Sequence, residues 1–104
     1  MDNEMKMRAT LQGDAADVKV LIKHIMETGL RKDPETKQLI PAHFINQVVA
    51  SLNGQTVLEM QWGVAVSKNP FFGFRVKGVK PGDKIAVSAV DNLGSKFDGE
   101  VVVA

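Results

Sequence analysis

Met5, Met7, Ala9 and Leu11 alternate with Lys6, Arg8 and Thr10, and this period of two recurs down most of the chain. Successive side chains of a strand point to opposite faces, so such alternation commits a segment to a sheet with one buried face. The small polar stretch Gln12 to Asp17 predicts a turn. Val18, Val20 and Ile22 then alternate with Lys19 and Lys23, with Leu21 as the exception, and this second strand runs into His24. Leu58, Met60 and Trp62 oppose Glu59 and Gln61, and Phe72, Phe74 and Val76 oppose Gly73, Arg75 and Lys77. Ile85, Val87 and Ala89 begin another strand, and Phe97, Val101 and Val103 run to the end. Turn chemistry separates these runs at Asn53-Gly54, Pro81-Gly82-Asp83 and Asn92-Leu93-Gly94.

One segment has a different period. In AHFINQVVASL, Phe44, Ile45, Val48, Val49 and Leu52 fall at the spacing of an amphipathic helix following Pro41. The β-branched content and the Asn53-Gly54 hairpin signal oppose that reading, so a strand is expected over 42–52. The whole pattern predicts one domain over 1–104, all-β, an immunoglobulin-like antiparallel β-sandwich of about seven strands. Trp62, on an apolar strand face, is expected to pack into the core.

Composition narrows the function. Hydrophobic residues make up 44% of the chain and charged residues 24%, as in ordinary globular proteins. A net charge of +1 gives no overall electrostatic case for nucleic acid or an anionic membrane. No apolar run reaches the roughly 20 residues of a membrane-spanning helix. The opening MDNEMKMRATL has no apolar core or cleavage site, so the chain is expected to carry no export signal of its own. There is no cysteine, which excludes thiol catalysis, disulfides and thiolate metal sites within this polypeptide.

The alternation lapses between Ile25 and Pro41, where Gly29, Asp33-Pro34 and Pro41 supply turn signals. A long connection containing a small hairpin is expected there, a class often functional in compact domains. It opens with HIMETGLRKD, His24 to Asp33, which gathers a histidine, a methionine, a glutamate and the cations Arg31 and Lys32. An acid–base or metal site built on His24, Glu27 and His43 is one reading of these residues. The plainer reading of His24, in phase with Val20 and Ile22, is a hydrogen-bonded histidine at a strand end. Arg31 and Lys32 could dock an anion or an acidic partner. A sandwich of this kind could also bind peptides along an open strand edge. No Gly-x-Ser-x-Gly elbow and no phosphate-binding glycine loop appears.

The string His24-Ile25-Met26-Glu27-Thr28-Gly29-Leu30-Arg31-Lys32-Asp33 resembles the HPMETGxRxD signature of the SoxZ family, the smaller subunits of the SoxYZ carriers of bacterial sulfur oxidation. Further similarities follow in order: Ile40-Pro41, Ile45, Asn53-Gly54, Ser67-Lys68-Asn69-Pro70, Phe74, Pro81-Gly82 and Asp91-Asn92-Leu93-Gly94. Ile25 departs from the pattern, standing where the family usually has proline, and puts the exit angle of the loop in question. The resemblance covers residues 7 to 104. It implies a non-catalytic subunit without cofactor or metal that pairs with SoxY, whose C-terminal Gly-Gly-Cys-Gly-Gly arm carries sulfur intermediates. It further implies export of the pair to the periplasm on the partner's signal, and transient docking of other Sox enzymes. The partner-binding candidates are His24, Met26, Glu27, Thr28, Gly29, Arg31 and Asp33, with Asn69 and Pro70 from the second loop. Isolated from its partner, such a subunit could form a homo-oligomer through an exposed apolar patch.

Overall fold

The computed structural model describes residues 5–104. Seven strands run β1 (Met5–Gln12), β2 (Ala15–Ile22), β3 (Ile45–Leu52), β4 (Gln55–Gln61), β5 (Phe71–Lys77), β6 (Lys84–Asp91) and β7 (Lys96–Val102). They form two antiparallel sheets of order β1-β2-β5 and β4-β3-β6-β7, and no helix occurs among the described residues. This is the immunoglobulin-like sandwich that the alternation predicts. Placing β4 beside β3 divides the strands three and four, unlike the antibody constant arrangement, in which the fourth strand joins the first sheet.

The inward residues of both sheets make one core. Val18, Val20 and Ile22 from β2 meet Ile45, Val48 and Ala50 from β3 and Ile85, Val87 and Ala89 from β6, all buried. Each of the larger aliphatic side chains contributes roughly 1.5–3 kcal/mol by leaving water. Trp62 is half-buried against this core, its ring 5.4 Å from Phe72 in an edge-to-face contact. Where β1 approaches β7, Gly99 makes room for the sulfur atoms of Met5 and Met7. An added Cβ there would lie 2.8 and 2.9 Å from them.

Segment 42–52 resolves into β3, and the reason for its helix-like spacing is visible. The β3–β6 register shifts between Ile45 and Gln47, so a bulge inserts one residue and turns an i, i+2 spacing of buried positions into the i, i+3 spacing of Ile45 and Val48. Beyond the bulge Val48 and Ala50 are buried in period two, and Val49 faces outward.

Two boundaries differ from expectation. The first turn is only Gly13-Asp14, and Ala15 to Asp17 belong to β2, where Asp17 pairs across the sheet with Arg75 at 2.7 Å. β2 also ends at Ile22 rather than at His24, and the chain leaves the sheet as a tied-down loop.

Candidate functional site

The connection between β2 and β3 is a small hairpin held at one end of the sandwich. Glu27 and His43 exchange two backbone hydrogen bonds, Glu27 N–H to His43 O at 2.6 Å and His43 N–H to Glu27 O at 3.0 Å. Further out, Ile40 N–H donates to Arg31 O at 2.8 Å and Asp33 N–H to Gln38 O at 2.8 Å. At the tip, the Asp33 carboxylate accepts from the backbone N–H groups of Glu35 and Thr36, capping the turn that Pro34 enters. Gly29 sits at φ +84°, and a Cβ there would come within 3.0 Å of the Ala42 Cβ on the returning arm. Thr28 Oγ1 accepts from Leu30 N–H.

A buried polar cluster pins this hairpin to the turn between β6 and β7. Asp91, fully enclosed, accepts at Oδ2 from His24 Nε2 (3.2 Å) and His43 Nε2 (2.7 Å). Its Oδ1 accepts from the backbone N–H groups of Leu93 (3.0 Å) and Ser95 (2.8 Å). Next to it, Asn92 accepts from Phe44 N–H and donates to Ala42 O. The His24 ring stands edge-on to His43 at 4.6 Å and to Phe97 at 5.5 Å.

The protonation states follow from these contacts. Met26 N–H donates to His24 Nδ1 at 2.9 Å, which requires a lone pair there and makes Nε2 the protonated nitrogen of a neutral ring. Burial pushes the His24 pKa below its ordinary value, against the hydrogen bond to Asp91, and the neighbouring His43 acts in the same direction as burial. Burial by itself would raise Asp91. The hydrogen bonds from His43, Ser95, His24 and Leu93 together outweigh it and hold the carboxyl below the usual carboxylate value.

His24, His43 and Asp91 place ligand-type atoms within 4.8 Å of one another, a donor set that could face a divalent cation. The hydrogen bonding points elsewhere. To ligate through Nε2, His24 would have to move its proton onto Nδ1, where Met26 N–H already points. Glu27 does not join the two histidines, as the metal or acid–base reading requires; its carboxylate pairs with the Arg31 guanidinium. That hydrogen bond draws Glu27 below and Arg31 above their ordinary pKa values. The third member of the cluster is Asp91.

A family model described as "Sulphur oxidation protein SoxZ" matches residues 5–102. The chain belongs to the SoxZ family. No curated protein matches it. Membership places the chain in sulfur oxidation.

The structure sorts the signature residues by role. His24 and Met26 are buried, Met26 at φ +51°, and form the foot of the hairpin instead of a surface. Gly29 shapes the turn, and Asp33 caps the tip. Thr28 and Arg31 are exposed and Glu27 partly so. Asn69, also at positive φ, brackets His24 by accepting from its N–H at 3.0 Å and donating to its carbonyl at 2.9 Å. Pro70 is buried, and its carbonyl accepts from Ile22 N–H. The second loop therefore braces the first.

Asp91, the last residue of β6, is absent from the metal or acid–base set expected from the sequence. A signal was present. Asp91 continues the inward series Ile85, Val87, Ala89, so its carboxylate had to point into the sandwich and needed donors there.

Proposed function

We propose that this chain is the non-catalytic subunit of a SoxYZ carrier, binding and stabilising SoxY while the partner's C-terminal cysteine arm carries sulfur intermediates during thiosulfate oxidation. The observation that carries the reading is the hairpin itself, whose foot is locked by buried hydrogen bonds while Leu30 stands 80% exposed on its outgoing arm. Leu39 on the returning arm and Ile25 at the foot are exposed as well. Apolar side chains held in one backbone conformation lose little entropy on docking, which favours a protein contact.

Acid–base chemistry is poorly served by the same residues. Both Asp91 oxygens already accept two hydrogen bonds each, and both nitrogens of His24 are engaged. The lack of cysteine suits a subunit lying near a reactive sulfur arm, since a second thiol there could compete by disulfide exchange. In this reading the pair is exported to the periplasm on the partner's signal, and the enzymes of the pathway dock on it transiently.

The test is a calorimetric titration of SoxY against this chain and against Leu30→Ser. The variant should bind about 10- to 100-fold more weakly, the effect of removing an interface anchor. A control at Val57→Ser, on the exposed part of β4, should change affinity by less than about 3-fold. Equal affinity of Leu30→Ser and the unsubstituted chain would take the hairpin out of the interface.

A further inference from the structure

The outer face of the β1-β2-β5 sheet is organised in rungs that the register defines. The rung nearest the hairpin holds Lys6, Leu21 and Phe71, and the next holds Arg8, Lys19 and Gly73. Then come Thr10, Asp17 and Arg75, and last Gln12, Ala15 and Lys77. The third rung balances its own charge through the Asp17–Arg75 ion pair. The second does not.

Arg8 and Lys19 lie directly opposite each other in the β1–β2 pairing, a like-charge arrangement that weakens a sheet. Beside them Gly73 presents bare backbone, and the Lys19 side chain lies across it, on the side away from β1. One rung along, Phe71 is 66% exposed next to half-buried Leu21. Lys6, Met7, Arg8, Lys19, Leu21 and Phe71 together line a shallow groove. The outer face of the other sheet, by contrast, turns Glu59, Asp98 and Glu100 to solvent along with Lys84 and Lys96, so the small net charge conceals a cationic side.

We propose that this face is a transient docking surface for an acidic protein, with an apolar side chain seated on Leu21 and Phe71 and carboxylates on Arg8 and Lys19. The two rungs are two residues apart along each strand, roughly 7 Å, which sets the spacing of the apolar and acidic groups on the partner. Permanent subunit interfaces are apolar at their centre and depleted in lysine, a description that suits the hairpin leucines better than this sheet. Charged faces with one aromatic anchor instead steer fast, salt-sensitive encounters. The inference rests on the carrier reading for the identity of the visitors, which are enzymes that load or unload sulfur on the pair.

Arg8→Glu in the complex with SoxY tests it. The substitution turns a repelling cross-strand pair into an attracting one, so the melting temperature should rise by about 1–5 °C. Docking should suffer at the same time. The rate at which purified thiosulfate-oxidising enzymes add sulfur to the SoxY cysteine, followed by the mass of the intact protein, should fall about 10-fold at low salt, with a flatter salt dependence. SoxY affinity should be unchanged, and at about 0.15 M salt, where charges are screened beyond roughly 8 Å, Lys77→Glu, two rungs away, should alter the rate by less than about 2-fold while Arg8→Glu still lowers it.

An unaltered rate and salt dependence would overturn the proposal, as would an equal fall with Lys77→Glu. Loss of SoxY binding would overturn it too, by making the face part of the permanent interface. Sedimentation of the unsubstituted pair, but not of Arg8→Glu, with phosphatidylglycerol vesicles would assign the face to a membrane surface instead. A chain that forms no pair with SoxY at all removes the carrier reading, and this proposal with it.

Discussion

His24 is the residue around which the site is organised, and its two ring nitrogens have opposite tasks. Nδ1 accepts a hydrogen bond from the backbone N–H of Met26, and the Nε2–H donates one to Asp91. Adding a proton at Nδ1 would set two donors against each other, in addition to the burial that already disfavours the charged ring. The consequence for stability has a definite sign. With its folded pKa below the unfolded value, the unfolded chain binds the proton first, so the contribution of His24 is complete above pH about 6.5 and is lost as pH falls from there through the folded pKa. Asp91, also lowered, adds a second loss below pH about 3.9. Urea midpoints measured from pH 8 to 4 should therefore decline before ordinary carboxylates titrate, and His24→Gln should remove that early decline. A midpoint that stays flat down to pH 5 would contradict the tautomer assigned here.

At the scale of elements, the hairpin and the strands differ in how far the sequence revealed them. Strands β1, β5 and β6 follow their alternation, because each has a single buried face. β3 imitates a helix because its bulge displaces Ile45 by one position, and bulges leave no compositional mark. The hairpin was legible at Gly29 and Asp33-Pro34, whose local chemistry demands turns. The Asp91 contacts were not, since hydrogen bonds spanning 67 and 48 residues depend on the assembled sheets. Gly29→Ala tests how tightly the hairpin is built. It forces alanine into a left-handed conformation and against the Ala42 Cβ, at a cost of about 1–3 kcal/mol. Amide exchange should accelerate at Glu27, Ile40 and His43, while amides in β6 should keep their protection. Uniform acceleration through both sheets would instead mean that the hairpin and the sandwich open together.

For the molecule as a whole, a cysteine-free sandwich commits two histidines and an aspartate to fixing one loop, on which Leu30 and Leu39 stay exposed. Its two sheets leave distinct exteriors, one cationic around Phe71 and one mixed, with Leu30 and Leu39 exposed on the hairpin at the end where β2 gives way to the loop. The family match supplies the process, sulfur oxidation, and the hairpin supplies the reason to look for a permanent partner. Periodicity and composition name no partner, because neither describes what a finished surface meets. The most direct measurement is the mass, by light scattering on gel filtration, of the species formed when this chain and SoxY are produced together. The expected result is one particle containing one copy of each subunit. Elution of this chain by itself, with SoxY in a separate peak, would contradict it.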